Sequence, residues 1–126
     1  MIYEVRTCTS KPGTVTEFEA RFEKRHPYRE RHSKLGAFWH TEMGPLNQLV
    51  HVWPYEDLQH RTAAREAANR DPDLQRTPTG REFIVAQESE IMIPAPGNFM
   101  LTELALTAAF VNHPRESTFF ALPFEQ

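Results

Sequence analysis

Apolar and polar positions alternate with period two at the start of the chain. Over residues 2–9 (IYEVRTCT), Tyr3, Val5 and Thr7 share one side and Glu4, Arg6 and Cys8 the other, which predicts a β-strand. Lys11-Pro12-Gly13 breaks the pattern, and Thr14 with Glu17 has the spacing of a capping box that starts a helix. The run that follows carries Val15, Phe18 and Phe22 at helical spacing, with Glu17, Glu19, Arg21, Glu23 and Lys24 mostly outward. Pro27 is expected to end or kink this helix, a second half through Arg31 being the alternative. Two strand-like runs, 36–43 and 48–55, then meet at Gly44-Pro45-Leu46-Asn47. Asp57 offers an N-cap for a second helix that ends before Asp71-Pro72. Its Ala63, Ala64, Ala67 and Ala68 allow close approach to a sheet. A polar loop over 72–80 leads to a last strand over 82–93.

The order is β-α-β-β-α-β, which predicts an α+β, ferredoxin-like domain with a four-stranded antiparallel sheet. Both helices cover one face of that sheet and leave the other bare. A second copy of the chain, the C-terminal tail, or both must cover it. The tail is unusual: the stretch FMLTELALTAAFV over 99–111 is apolar apart from Thr102, Glu103 and Thr107, and Phe119, Phe120, Leu122 and Phe124 follow. The expected division is a domain over 1–96 and an apolar tail over 97–126.

Composition narrows the classes. At 126 residues the chain fits one domain, and its formal charge of −3 comes without a basic stripe, so a nucleic-acid partner is not expected. A lone cysteine, Cys8, excludes an intramolecular disulfide and fits a reducing compartment. The N-terminus enters a strand at once, so no leader is expected and the expected location is the cytoplasm. No apolar run is long enough for a membrane span. No GxSxG, glycine-rich phosphate loop or dinucleotide fingerprint occurs, so a nucleotide cofactor is not expected; a histidine could ligate haem, but nothing in the sequence calls for it, and no cofactor is assigned.

The stretches MIYEVRT with KPGT, FWHTEMGPLNQLVHVWPYEDL, and the closing IMIPAP resemble the NIPSNAP family over about residues 1–96. The string GPLNQxxHxWxY is long and specific. The resemblance implies a dimeric α/β barrel, in which two ferredoxin-like protomers stack sheet on sheet. It implies no shared reaction, although the wider barrel superfamily includes small monooxygenases, isomerases and haem-handling enzymes. Cys8 stands where such proteins usually carry an aromatic residue, and the stretch after Pro96 matches no family feature.

Alternation assigns candidate site residues. Val50 and Val52 are expected to meet the helices, leaving His51, Trp53 and Tyr55 toward the barrel. The same logic sends Tyr3 and Val5 to the helices and Glu4, Arg6 and Cys8 inward. In the last strand Phe83, Val85 and Ile91 go to the helices, with Glu88 and Glu90 inward or at the rim. In the second strand, Phe38 with His40 and Trp39 with Thr41 are both credible inward sets. Buried charges need partners, so these groups form either a structural network or a ligand pocket. Two functions stay open. One is a homodimeric binding or assembly module that holds a small apolar or carbonyl metabolite, with Glu4, Trp39, His40, Trp53, Tyr55 and Glu88 as contacts. The other is a cofactor-free isomerase, dehydratase or monooxygenase-like enzyme with His51 as base and Arg6 steadying oxyanion charge. Metal binding by His40, His51 and a glutamate is the weaker idea, because no ligand spacing marks them.

Overall fold

Strands and helices follow one another in the order that the alternation predicts. In the computed structural model, which describes residues 1–97, they are β1 (Ile2–Ser10), α1 (Val15–Arg29), β2 (Ala37–His40), β3 (Gln48–Tyr55), α2 (Leu58–Arg70), α3 (Pro72–Arg76) and β4 (Ile84–Met92). A 3-10 turn at Arg81–Phe83 precedes β4. The strands form one antiparallel sheet in the order β2-β3-β1-β4. β1 and β3 are therefore central, and the fold is the expected ferredoxin-like α+β arrangement. The apolar tail lies, from residue 98 onward, outside the described residues. No helix among the described residues is long and apolar enough to cross a membrane.

Local chemistry sets the element ends. Asp57 caps α2 as expected, its side chain accepting from the His60 N–H at 2.7 Å. The Thr14–Glu17 capping box does not form. Thr14 Oγ1 donates to the Lys11 carbonyl at 2.6 Å, and Glu17 accepts from Arg21 Nε at 3.0 Å. Pro27 does not end α1 either; the helix runs past it to Arg29. The proline removes one backbone bond, to the carbonyl of Glu23, which lies on the exposed side where water can replace it. Where a loop was expected after Asp71, the Asp71 carboxylate accepts from Asp73 N–H at 2.9 Å and starts the short α3 with Pro72 in its first turn. The strand β2 is shorter than the sequence suggests. Beyond His40 a Thr41 N–H bond to the Gln48 carbonyl at 3.0 Å closes the ladder, and Asn47 turns the chain at φ 62°.

The core lies between sheet and helices. Trp53, Tyr55 and Ala64 are its buried centre, with Ile2, Phe22 and Leu35 packed around them. The Tyr55 hydroxyl lies 3.2 Å from Ser33 Oγ, so this buried ring keeps a polar partner. α1 contributes no fully buried residue, which leaves space beneath it.

Candidate functional site

Pairing across the sheet fixes which residues share a face. Glu4 lies opposite Trp53, Arg6 opposite His51, Cys8 opposite Leu49, and Phe38 opposite His51 on the other side. This set faces the helices: the Phe22 ring of α1 stacks on Phe38 at 4.2 Å, meets His51 edge-on at 5.9 Å and lies tilted to Trp53 at 6.3 Å. The sequence-based facing is therefore inverted. Glu4, Arg6, Cys8, His51, Trp53 and Tyr55 point to the helix layer, while Tyr3, Val5, Val50 and Val52 occupy the opposite, half-buried face. The reason is volume. The alanine-rich α2 and the two phenylalanines of α1 leave a deep gap that large rings and long arginines fill, whereas the valine and threonine set makes a flat surface. Ile91, opposite Glu4, faces the helices as expected, but Phe83 lies in the 3-10 turn rather than in the strand.

His51 and Trp53 form one unit. Trp53 Nε1 donates to His51 Nδ1 at 2.7 Å; an indole nitrogen can only donate, so Nδ1 accepts and the ring proton sits on Nε2. Nε2 faces Cys8 Sγ at 3.8 Å. Burial, then the Arg6 charge, pushes the His51 pKa down to about 4. The imidazole is thus neutral at pH 7. Burial also pushes the Cys8 thiol up, more than Arg6 lowers it, so Cys8 stays protonated.

Glu4 has no solvent exposure at all. Its Oε2 accepts from Arg61 Nε at 2.9 Å, Arg61 Nη2 at 2.5 Å and Ser89 Oγ at 2.6 Å, while Oε1 has only Arg65 Nη1 at 3.7 Å. Burial raises its pKa, but the bonds from Arg61 and Ser89 outweigh that and hold it below the ordinary glutamate value.

Beside these groups lies a two-lobed pocket under α1. The lobes, of about 180 and 190 Å³, share Arg6, Phe22, Arg25, His51 and Arg81. The first extends past Arg29, Trp53 and Arg65; the second past Cys8, Phe18 and Ile84. Arg25 is positioned by the carbonyls of Leu74 and Thr77 at 2.8 and 2.6 Å, and Arg29 lies over the Trp53 ring at 5.1 Å.

Of the residues singled out from sequence, Arg6, His51 and Trp53 line this pocket, and Glu4 and Tyr55 are buried close by. His40 stands apart, half-exposed, with its Nδ1 2.7 Å from Glu19 Oε1. Trp39 and Glu88 lie on the opposite face of the sheet. Among the described residues, no three histidine, cysteine, aspartate or glutamate side chains gather as a metal site. Arg25 and Arg29 of α1, with Arg65 and Arg81, escaped sequence reasoning. The signal for the two on α1 is that 18, 22, 25, 26 and 29 fall on one helical stripe, apolar at its start and cationic at its end.

The model of the NIPSNAP family matches residues 3–97. Human "Protein NipSnap homolog 3A" is 35% identical over 104 residues, covering 76% of this chain and 40% of the human protein. The chain thus spans about two fifths of that relative's length. An uncharacterized NIPSNAP domain protein from Burkholderia xenovorans superimposes with a TM-score of 0.71 at 32% identity, over 76% of this chain and 96% of the other. An antibiotic biosynthesis monooxygenase, at 12% identity and a TM-score of 0.54, shares the fold over 76% of this chain and 100% of its own.

Proposed function

The chain belongs to the NIPSNAP family, and on that footing we propose that it is a homodimeric small-molecule-binding module whose ligand lies between helix layer and sheet. The observation that carries this is the pocket beneath α1, where a buried His51–Trp53 pair and Arg6 meet an apolar wall. Ligand sites combine an apolar wall with a few convergent polar groups in this way.

The flat face supports the dimer. Val5, Thr7, Val50 and Val52 are only half-buried there, and Trp39 and Met92 are exposed. A second sheet packed on this face would complete the family's barrel and cover them. The pocket, on the other side, stays separate from that interface. The enzyme reading has less support, because His51 is poorly set up as a base. Its Nδ1 already accepts from Trp53, its Nε2 carries the proton, and protonation would need a pH near 4. The buried Cys8 thiol fits a reducing compartment such as the cytoplasm; recovery of the chain in a secreted fraction would refute that.

Crystals soaked with phenol, a neutral probe, should show it in the pocket beneath α1, against Phe18, Phe22 and Ile84. Phenol on the flat face, or no phenol in the pocket at high occupancy elsewhere, would overturn the reading. Light scattering should give a dimer for the wild type and a monomer for Val52→Arg. A wild-type monomer would remove the dimer.

A further inference from the structure

The charges around the pocket narrow its ligand. Five arginines line the lobes, Arg6, Arg25, Arg29, Arg65 and Arg81, with no aspartate or glutamate among the lining residues. The chain as a whole is acidic, at −3, so this is a local concentration. Arg65 reaches Glu4 at 3.7 Å, but Glu4's other oxygen is already held by Arg61. Among the described residues, no carboxylate lies within ion-pair distance of Arg6, Arg25, Arg29 or Arg81.

These cations burden one another. Burial and then neighbouring guanidiniums hold Arg25 and Arg65 below the ordinary arginine value. Like charges gathered at low dielectric repel, and an anion among them relieves every pair at once. Arg6 Nε is buried with no acceptor in reach. Guanidinium forks match planar carboxylates.

The second lobe adds the rest of the ligand. Phe18, Phe22 and Ile84 wall it, and Gly80 leaves room for the Phe18 ring at one side. We propose that the pocket binds a small carboxylate with an apolar body, its carboxylate among Arg25, Arg29 and Arg81 and its body against Phe18, Phe22 and Ile84. His51 lines both lobes as a neutral wall residue, its Nε2–H turned to Cys8 Sγ. This inference rests on the pocket reading above and names its ligand class.

Calorimetry with benzoate, phenol and inorganic phosphate tests it. Benzoate and phenol share a ring and differ in charge at pH 7. Benzoate should bind at least about tenfold tighter than phenol, the net worth of a charge-assisted hydrogen bond in a partly dry site. Its affinity should fall as salt rises. Arg81→Gln alters an exposed cation with no ion-pair partner among the described residues; it should weaken benzoate roughly threefold and phenol by less, with an unchanged circular dichroism spectrum showing that the variant is folded. Benzoate no tighter than phenol would overturn the carboxylate while leaving the pocket standing. Binding of neither would overturn the pocket itself. Phosphate as tight as benzoate would overturn the apolar body, and an unchanged benzoate affinity in Arg81→Gln would place the anion elsewhere and overturn the assignment.

Discussion

Replacing Arg61 by methionine removes the cation that neutralises Glu4 but keeps a straight stem on α2. Glu4 is wholly buried, and two of the three donors on its Oε2 belong to Arg61. Ser89 at 2.6 Å and Arg65 at 3.7 Å are what remain. Breaking a buried pair from one side costs about 3–5 kcal/mol. Arg61 is 26% exposed, and Arg65 can draw closer, so the lower end, about 3 kcal/mol, is expected. In a domain of this size that lowers Tm by roughly 12–20 °C. The sign with pH is also fixed. Glu4's folded pKa is lowered, so its ionised form stabilises the fold above the ordinary glutamate value, and that contribution is lost as pH falls through the folded value. In Arg61→Met burial dominates and the pKa rises, so the variant's deficit should shrink as the pH falls toward 4. Urea unfolding followed by circular dichroism, on Arg61→Met, Glu4→Gln and the double variant, gives the numbers. In the Glu4→Gln background the Arg61 change should cost less than about 1 kcal/mol, because no buried charge is stranded. A loss under about 1 kcal/mol at pH 7 in the single variant, or an equal loss in both backgrounds, would refute the reasoning.

Three further outcomes are expected. His51 is held down to about 4, so its neutral form stabilises the fold above pH 6.5, and about 3 kcal/mol of that is lost as pH falls from 6.5 through 4; urea midpoints of His51→Asn should vary less over this window than those of the wild type. Gly80→Ala places a Cβ 2.1 Å from Phe18 Cδ2; thermal melts should show a loss of about 1–3 kcal/mol from overpacking, and phenol binding in the second lobe should weaken with it. Truncation after Gly97 should keep the far-ultraviolet spectrum of a folded α+β domain, since the four strands among the described residues end by Met92; a random-coil spectrum would move the domain boundary.

The element order was legible because period-two and helical patterns alternate cleanly, and β3 has the bounds its alternation marks. Which face met the helices was not. Alternation sorts residues into two sets without saying which set the helices cover, and here both sets contain apolar groups. Side-chain volume decides: Leu49, His51, Trp53 and Tyr55 fill the gap beside the alanine-rich α2, and Val50 and Val52 do not. Glu4, Arg6, His51 and Trp53 were therefore found together, as alternation implies, but on the wrong side. Arg25, Arg29 and Arg65 were missed because charge on a helix is read as solvent-facing. Their long stems instead lie along the inner stripe and carry the guanidinium to the pocket edge. Pro27 and the Thr14 cap show the same weakness of local rules: tertiary packing of the Phe22 stripe and a competing bond to Lys11 overrode them.

The two tryptophans give the most direct test of where the ligand sits, because Trp53 lines the pocket and Trp39 lies on the opposite face of the sheet. The measurement is a proton–nitrogen correlation spectrum of the indole N–H groups during a benzoate titration. The Trp53 signal should move to saturation, its bond to His51 lying at the pocket wall, while Trp39 stays in place. Movement of Trp39 with Trp53 unmoved would put the ligand on the flat face and rule out the pocket beneath α1 as its site.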